Sequence, residues 1–413
     1  MDFFQYMPLT AAREIIAASL EGIGTGRELV HLPDALGRVA ADDILAGEDQ
    51  PPFSRSSVDG FAVRSADTFG AGETVPALLT VVGEIIMGEA TESALRPGQA
   101  VAIPTGGMLP PGADAVVMVE HTDRPDAATL LVLKVAAPGE NVVARGEDVA
   151  ADDVILAAGR LIAPQHIGIL AACGIVRVAV REKPAVAVIS SGDELVEIDR
   201  TPAGGQIRDV NSYALGAMLT EAGCSVTRLG IVKDSYEDFR AVLAEAVAAY
   251  RMVVISGGSS VGARDYTVKA IGSLGAPGVL IHGVAVKPGR PTIFGMVGAV
   301  PVFGLPGHPV AAMTVCGQLV KPAVDMLLGR TGGGPPGLPA SLARNIASSP
   351  GRDDFVNVRL DKQQGQYSAE PILGKSGLIS TIAHADGVIH IPAEKSGLYG
   401  GDAVEVTLIR TAE

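Results

Sequence analysis

The order of apolar and polar residues predicts several structurally different regions along the 413-residue chain. In residues 8–21, apolar side chains recur at helical spacing, which predicts an amphipathic helix. Its expected apolar face consists of Leu9, Ala11, Ile15 and Ala18. From residue 26 to residue 146, short apolar runs alternate with Pro-Gly turn signals, which is typical of a β-rich domain with strands near 115–119 and 130–135.

Between residues 184 and 328, strand and helix patterns alternate. The predicted elements are strands at 185–189, 225–232 and 252–255 and helices at 213–221 and 236–249. Asn211 or Ser212 is expected to cap the first of these helices. Because the strands are short, wholly apolar and separated by helices, the pattern indicates a doubly wound parallel sheet that is covered on both faces.

The region after residue 330 is predicted to consist of strands. Residues 331–337, Thr-Gly-Gly-Gly-Pro-Pro-Gly, have the composition of a linker. Beyond it, residues 355–360 and 403–408 alternate apolar and polar side chains with a period of two. The expected fold class is therefore α/β multidomain, with a β-rich second domain and a C-terminal β domain beside the parallel sheet.

Composition and charge exclude several classes of protein. The chain is 47% hydrophobic and 19% charged, which excludes an intrinsically disordered protein. It has 32 basic and 46 acidic side chains and a net charge of −14, whereas a nucleic-acid binder needs a basic surface. Aromatic residues make up 4%, too few for base-stacking platforms. We therefore expect no nucleic-acid partner.

Cysteine usage and hydropathy predict a cytoplasmic protein without a membrane partner. Cys173, Cys224 and Cys316 form no Cys-x-x-Cys pattern, so neither a disulfide framework nor a zinc ribbon is expected. Residues 1–20 lack the basic start and apolar run of a secretory signal. The most apolar stretch, residues 162–180, contains interrupting polar residues and predicts a buried helix followed by a strand, not a bilayer span.

Acidic residues follow three of the predicted strands and would meet at one edge of the sheet. These residues are Glu194, Asp234 and Asp265. Asp234 or Ser235 could instead cap the next helix, and Asp265 could occupy a first helical turn. Carboxylates gathered at the carboxyl edge of a parallel sheet nevertheless repel one another, and a divalent cation or protonation is expected to relieve this repulsion.

Two further motifs indicate anion binding. A glycine-rich loop contains Gly257, Gly258, Ser259 and Gly262. Its N–H groups suit a phosphate, although a tight turn that needs positive φ would explain one of the glycines. Lys287 and Arg290 flank a Pro-Gly turn, and this basic cluster in an acidic chain is expected to attract a small oxyanion or phosphate. Pro309 suits a first helical turn, and His308 suits a loop hydrogen bond.

The β-rich region adds motifs around Asp59 and Thr105, and spacing alone identifies Asp59-Gly60 only as a turn. Taken together, the motifs of the chain closely resemble those of the molybdopterin molybdenumtransferase family, which includes bacterial MoeA and the E domain of animal gephyrin. The resemblance covers nearly the whole chain. It rests on Ala-Leu-Gly-Arg at 35–38, Ser-Ser-Val-Asp-Gly-Phe-Ala-Val at 56–63, Arg-Gly-Glu-Asp at 145–148, Ser-Gly-Asp-Glu at 191–194, Ser-Gly-Gly-Ser-Ser-Val-Gly at 256–262 with Asp265, Lys-Pro-Gly-Arg-Pro at 287–291 and Gly-Leu-Pro-Gly-His-Pro at 304–309.

The resemblance implies a fold and an assembly. The expected domains are a split linker domain at 1–26 and 147–180, a β-rich domain at 27–146, a doubly wound MogA-like domain at 181–329 and a C-terminal β-barrel at 338–413. The family's pattern also implies an elongated homodimer in which the two subunits share each active site. Asp59 and Thr105 are expected to reach the site of the neighbouring subunit.

The resemblance further implies an activity, the insertion of molybdate into adenylylated molybdopterin with Mg²⁺-assisted release of AMP. It implies catalytic roles for Asp59, Glu194, Asp234 and Asp265, of which the last three would be metal ligands. It implies substrate contacts for Thr105, Ser191, Gly257, Gly258, Ser259, Gly262, Lys287, Arg290, Pro306, Pro309, Arg352 and Ser376. Lys287, Arg290, Ser376 and Arg352 are the expected molybdate contacts. A molybdopterin adenylyltransferase and recipient molybdoenzymes are the expected protein partners.

Three departures from the family pattern concern the oxyanion. Gly283 stands where many members have a second lysine, His308 stands where asparagine is common, and the motif around Ser376 matches only with a gap. Since tungstate shares the shape and charge of molybdate, a tungstate-inserting paralogue is an alternative function. A molybdopterin adenylyltransferase and a non-catalytic cofactor-binding scaffold are further alternatives.

Overall fold

The computed structural model describes residues 6–91, 93–257, 261–332, 337–363 and 365–409, without the side chains of 261–265 and 363. Most of the predicted linker therefore lies outside the described residues. The first helix, α1 (Leu9–Leu20), confirms the predicted helix. Its buried residues are Leu9, Ala12, Ile16 and Leu20, and Ile15 is partly buried against the same core. The predicted apolar face is thus confirmed at Leu9 and Ile15 and wrong at Ala18, which is exposed. The buried stripe is set by the core that α1 shares with residues 315–328.

The β-rich region follows α1. Its elements are β1 (Arg27–His31), β2 (Ile44–Leu45), β3 (Arg55–Ser56), β4 (Gly60–Val63), β5 (Ala77–Glu84), β6 (Gln99–Ile103), β7 (Ala115–Met118), β8 (Thr122–Asp123), β9 (Thr129–Val132), β10 (Val142–Val143) and β11 (Val154–Leu156), followed by α2 (Pro164–Ala172) and β12 (Arg177–Arg181). The main sheet has the order β7-β4-β6-β5-β9-β8. Antiparallel pairing of β1 with β12 and of β2 with β11 joins the first strands of the region to its last strands.

The apolar stretch 162–180 forms α2 and β12, which confirms a helix followed by a strand. The helix is not buried as predicted, because Leu170 is its buried residue and one side faces solvent. Among the described residues, one helical stretch, Pro309–Leu327, is long and apolar enough to cross a bilayer by length and composition. Since 56% of its apolar 18-residue segment is buried inside the structure, this stretch resembles the core helix of a soluble protein.

The central region alternates strands and helices. Its elements are β13 (Ala185–Ser191), β14 (Leu195–Val196), β15 (Ile207–Arg208), α3 (Asn211–Glu221), β16 (Ser225–Val232), α4 (Tyr236–Ala249), β17 (Met252–Gly257), α5 (Val261–Leu274), β18 (Pro277–His282), β19 (Val286–Lys287), β20 (Ile293–Val297), β21 (Val300–Leu305), α6 (Pro309–Val315) and α7 (Lys321–Leu327). Alternate residues of β13 enter different cores, Val186 and Val188 on one face and Ala187 and Ile189 on the other. Helices therefore cover both faces, as predicted for a doubly wound sheet.

The central sheet has the strand order β16-β13-β17-β21-β20-β18. The strands β16, β13, β17 and β21 run parallel, whereas β20 is antiparallel to both β21 and β18. The antiparallel edge has a local cause: Val297 pairs with Val300 across a two-residue turn, and Gly298 in this turn has a φ of 59°. Only antiparallel strands can be joined by so short a connection.

The C-terminal region is a closed β-barrel. Its elements are β22 (Leu338–Leu342), β23 (Ile346–Ala347), β24 (Asp353–Gln363), β25 (Gln366–Pro371), α8 (Ser380–Ala383), β26 (Gly387–Ile391), β27 (Gly397–Leu398) and β28 (Ala403–Leu408). The order β24-β25-β22-β28-β26 returns to β24, because β24 also pairs with β26. The short strand β19 of the central region adds in parallel to the start of β24 and so joins the barrel to the central sheet.

Candidate active site

A cleft of about 740 Å³ lies where the barrel docks against the central sheet. Its floor is built by the pairing of β19 with β24, which places Lys287 opposite Asp354. The cleft brings together five of the residues that were predicted to bind substrate, namely Lys287, Arg290, Pro306, Arg352 and Ser376. Sequence positions that lie up to 89 residues apart thus meet in one cavity, from Lys287 to Ser376.

The cleft is electropositive. Of the described side chains that line it, four are cationic and one is a carboxylate; the cations are Lys287, Arg290, Arg352 and Lys375. The carboxylate, Asp354, is 2% exposed and accepts hydrogen bonds from Lys287 Nζ at 3.2 Å and from Arg352 Nε at 3.0 Å. Because this single carboxylate offsets only one cation, the cleft favours an oxyanion although the whole chain has a charge of −14.

Ser376 connects the barrel to the start of α6. His308 Nδ1 and Ser376 Oγ share a hydrogen bond of 2.8 Å, and the Val310 N–H donates to the Ser376 carbonyl oxygen at 3.1 Å. The predicted loop hydrogen bond of His308 is confirmed by this contact. Pro309 is the first residue of α6, as predicted from its missing N–H. The structure therefore places Ser376, His308 and Pro306 on one wall of the cleft.

The carboxyl edge of the central sheet holds Ser191 and Asp234. Ser191 Oγ donates a hydrogen bond to Asp234 Oδ1 at 2.9 Å, because parallel β13 and β16 end side by side. The Asp234 N–H donates to Asp193 Oδ1 at 3.2 Å. Ser235 is the N-cap residue of helix α4, as one of the two capping alternatives predicted, although it makes no side-chain capping bond, and Asp234 does not cap the helix. The Asp234 carboxylate faces the sheet edge instead.

The other two predicted metal ligands are less completely placed. Glu194 is exposed in the turn after β13. Asp265 is the fifth residue of α5, so the interpretation that it occupies the first turn is wrong, and its side chain lies outside the described residues. The oxygen atoms of Ser191, Asp234 and Glu194 are the donor type that Mg²⁺ prefers, so the residues at this edge fit such an ion. The described side chains contain no group of three or more His, Cys, Asp or Glu that could hold a metal, and the predicted trio stays a prediction.

Asn211 links the sheet edge to the cleft, and sequence reasoning missed this role. Its Nδ2 donates to Ser256 Oγ at 2.7 Å and to the Gly307 carbonyl oxygen at 2.8 Å. Gly307 lies between two residues that line the cleft. The prediction that Asn211 or Ser212 caps α3 is wrong, because Val210 is the N-cap residue and Asp209 accepts hydrogen bonds from the Ser212 N–H and hydroxyl. No local signal reveals partners that lie 45 and 96 residues away.

The glycine-rich loop is only partly described. Gly257 has a φ of 108°, and a Cβ on it would lie 2.0 Å from the Ser191 carbonyl oxygen. Glycine is thus required at position 257 by its positive φ and by the close approach of β13. This confirms the alternative that backbone conformation explains one of the glycines. Gly262 lies in α5, whereas Gly258 and Ser259 lie outside the described residues. Anion binding by this loop stays a prediction.

Asp59 and Thr105 contact each other in the β-rich region. Asp59 Oδ1 accepts hydrogen bonds from the Thr105 N–H at 2.7 Å and from Thr105 Oγ1 at 3.0 Å. These bonds hold the pKa of the Asp59 carboxyl below its usual value. Both residues are exposed, and neither lines the cleft of its own chain. Gly60 begins β4 where a Cβ would lie 2.0 Å from the Val117 carbonyl oxygen, so the predicted turn ends in an obligatory glycine.

Comparison with known proteins matches nearly the whole chain. The MoeA N-terminal region (domain I and II) matches residues 7–174, a probable molybdopterin binding domain matches 187–326, and the MoeA C-terminal region (domain IV) matches 339–409. A putative molybdopterin biosynthesis protein of Methanocaldococcus jannaschii is 35% identical over 98% of both chains. The molybdopterin molybdenumtransferase 1 of Mycobacterium tuberculosis is 33% identical over 92% of this chain and 94% of its own.

The chain belongs to the molybdopterin molybdenumtransferase (MoeA) family. A solved structure of the molybdopterin biosynthesis MoeA protein from Pyrococcus horikoshii OT3 superposes with a TM-score of 0.86 at 30% identity, covering 98% of this chain and all of that chain. The family resemblance and the fold class predicted from the sequence are therefore confirmed. The sheet edge and the cleft residues Lys287, Arg290 and Pro306 lie in the matched molybdopterin binding domain, and Arg352 and Ser376 lie in the matched C-terminal region.

Proposed function

We propose that this MoeA family member inserts molybdate into adenylylated molybdopterin and releases AMP. The observation that carries the proposal is the electropositive cleft that adjoins a carboxylate-bearing sheet edge through residues 306–308. An oxyanion and a phosphoanhydride need these two environments side by side. Oxyanions need cationic hydrogen-bond donors, whereas a phosphoanhydride needs carboxylates that hold a neutralising cation.

In the cleft, Lys287, Arg290 and Arg352 would bind molybdate, with the Ser376 hydroxyl as a further partner. Asp354 fixes the positions of Lys287 and Arg352, because both cations donate to its buried carboxylate. The His308 contact holds the Ser376 hydroxyl on the wall that also contains Pro306, and Pro309 starts the helix behind this wall. These residues bind and orient the oxyanion beside the molybdopterin dithiolene, which would receive the metal.

At the sheet edge, Asp234, Glu194 and Asp265 would hold Mg²⁺, which we propose as the divalent cation. When bound there, Mg²⁺ would neutralise phosphate charge and stabilise the departing AMP. Ser191 restrains the Asp234 carboxylate through the hydroxyl hydrogen bond, and the glycine-rich loop with Gly257 would lie against the phosphates. Asn211 holds the segment at Gly307 and so fixes the distance between the two halves of the site.

We further propose a cytoplasmic homodimer. The exposed Asp59 and Thr105, bound to each other, would complete the site of the neighbouring subunit. A molybdopterin adenylyltransferase would supply the adenylylated substrate, and recipient molybdoenzymes would accept the product.

The test is AMP release from adenylylated molybdopterin by the purified full chain with Mg²⁺, without oxyanion, with molybdate and with tungstate. We expect release that depends on molybdate and a product that activates a cofactor-free molybdoenzyme. Arg352→Ala should lose most of the molybdate-stimulated AMP release. Arg359→Ala, a control on the exposed side of β24, should retain it.

Other outcomes would select the alternatives. Release only with tungstate would identify a tungstate-inserting enzyme. Formation of adenylylated molybdopterin from ATP would identify an adenylyltransferase. Substrate binding by an intact protein without release under any of these conditions would identify a binding scaffold and contradict the proposed transfer.

A further inference from the structure

Among the described side chains, Arg290 and Lys375 are the cations of the cleft that no carboxylate holds, and Arg290 is the one with an aromatic contact. Lys287 and Arg352 both donate to the buried Asp354, which fixes their positions. Among the described residues, by contrast, the Arg290 guanidinium makes no hydrogen bond or ion pair with another side chain. The described contact of this guanidinium is the ring of Tyr6, with Arg290 Cζ 4.8 Å from the ring centroid.

The backbone around Arg290 is fixed, so its freedom lies in the side chain. The Arg290 carbonyl oxygen accepts hydrogen bonds from the Val284 N–H at 3.0 Å and from the Thr292 N–H at 2.9 Å. Gly289, directly before it, has a φ of 131°, and a Cβ there would lie 2.4 Å from Val315 Cγ2. An arginine side chain on a rigid turn still has several rotatable bonds, and a ring that stacks on its head selects among the rotamers.

Tyr6 is itself held in place by the segment that Arg290 adjoins. The Met7 N–H donates to the Gly283 carbonyl oxygen at 3.1 Å, and the Ala285 N–H donates to the Met7 carbonyl oxygen at 2.7 Å. Helix α1 follows at Leu9 and is anchored in the core. The backbone directly after Tyr6 is therefore held by a strand-like pairing at Met7 and then by a buried helix.

Gly283 provides the space for this ring. It has a φ of 97°, and a Cβ on it would lie 2.7 Å from Tyr6 Cδ1 and 3.1 Å from Tyr6 Cε1. A side chain at position 283 would be strained by its backbone and would also displace the ring. The absence of a side chain at Gly283 thus leaves room for the Tyr6 ring, and the ring in turn contacts the Arg290 guanidinium.

We propose that Tyr6 is a positioning residue for the oxyanion site, acting through Arg290. The proposal rests on the proposed function, in which Arg290 binds molybdate. Tyr6 holds the guanidinium over its ring and so orients the N–H donors before the oxyanion arrives. Preorganisation of this kind lowers the cost of ordering a long side chain on binding and strengthens the affinity without adding a contact to the ligand.

The test is isothermal titration of molybdate into the full chain and its variants, with steady-state AMP release as a second readout. A cation–π contact predicts that Tyr6→Leu weakens the molybdate affinity roughly five-fold, while Tyr6→Phe, which keeps the ring, stays close to wild type. The weakening should show as a higher KM for molybdate with an unchanged kcat. Tyr399→Leu, at an exposed ring outside the cleft, is the matched control and should have no effect.

A double-mutant cycle separates positioning from a general structural effect. If Tyr6 acts through Arg290, Tyr6→Leu should have no further effect in an Arg290→Ala background. Equal losses in both backgrounds would overturn the proposal, as would wild-type affinity in Tyr6→Leu. In the latter case a weakened Arg290→Ala would leave the proposed function intact. If Arg290→Ala binds molybdate as tightly as wild type, the cleft does not use this arginine for the oxyanion and the positioning proposal is overturned, whereas the proposed transfer fails only if molybdate-dependent AMP release is absent as well.

Discussion

The acidic sheet edge and the basic cleft adjoin at residues 306–308, yet they are assembled differently. At the edge, Ser191 meets Asp234 because β13 and β16 are neighbours in one parallel sheet. In the cleft, Lys287 and Arg352 meet only at Asp354, a residue of the barrel that docks against the sheet. One environment is a property of a single domain, and the other exists only when two domains are joined.

This difference predicts a division of labour. Under the proposed function the phosphoanhydride is cleaved at the sheet edge, so damage there should lower kcat. A site at a domain junction suits the binding of a small, separate oxyanion, so damage there should raise the KM for molybdate. Variants in the sheet edge and variants in the cleft therefore test whether the two regions act separately.

The largest effect is expected at the sheet edge. Asp234→Asn keeps the shape and the hydrogen bond to Ser191 but removes the charge, and kcat for AMP release should fall roughly 100-fold. The affinity for molybdate should be unchanged. Asp238→Asn, in the first turn of the same helix, is the control and should retain its activity. A rise in the KM for molybdate at constant kcat would contradict the separation of the two regions.

The second prediction concerns which subunit completes the edge. Asp59→Asn and Asp234→Asn should each be nearly inactive alone. If the sites are shared, a mixed dimer contains one site with both defects and one intact site, and an equal mixture should recover about a quarter of wild-type activity. The measurement uses the two variants co-expressed with different affinity tags. A mixture no more active than its parents would show that Asp59 serves its own subunit or none.

A smaller effect is expected in the cleft. Ser376→Ala removes the hydroxyl that bonds to His308, and one such hydrogen bond corresponds to a rise of roughly five-fold in the KM for molybdate. The kcat at saturating molybdate should stay near wild type. Ser396→Ala, at an exposed serine of the same barrel and again after a lysine, provides the matched control. A loss confined to kcat would place Ser376 with the cleavage step instead.

The smallest effect concerns the protonation of Asp59. The Thr105 N–H and hydroxyl lower the pKa of this carboxyl, so it stays ionised as the pH falls through its usual pKa. Because the pKa is lowered in the folded state, these bonds stabilise the fold at pH values above the pKa of the unfolded state. This stabilisation is lost as the pH falls through the lower pKa of the folded state. Thr105→Val should raise the Asp59 pKa, though not fully, since the N–H bond remains.

Carbon-13 NMR titration of the Asp59 carboxyl would measure this shift. The carboxyl of Asp126, which accepts its hydrogen bonds from Ala128 and Thr129, is an internal reference that should not change. An unchanged midpoint for Asp59 in Thr105→Val would show that the hydroxyl does not contribute in solution.

Much of the fold is readable from the sequence because it follows from local patterns. The strand at 225–232, the helix at 236–249 and the strand at 403–408 have their predicted bounds, since apolar periodicity and turn residues determine each element nearly alone. Parallel topology then places the residues after the strands on one edge, so the order of strands and helices along the chain is enough to place Glu194 and Asp234 at the same edge. The basic character of the Lys287 motif is likewise a property of the sequence.

The contacts that give these residues their environment were decided by tertiary structure. The buried stripe of α1, the carboxylate of Asp354 between two cations, and the reach of Asn211 to Ser256 and Gly307 all depend on how separate elements dock. The same holds for Tyr6 against Arg290, which are 284 positions apart. A local pattern specifies which face of an element is apolar or charged, but the partner of that face is specified only by the packing of the whole chain.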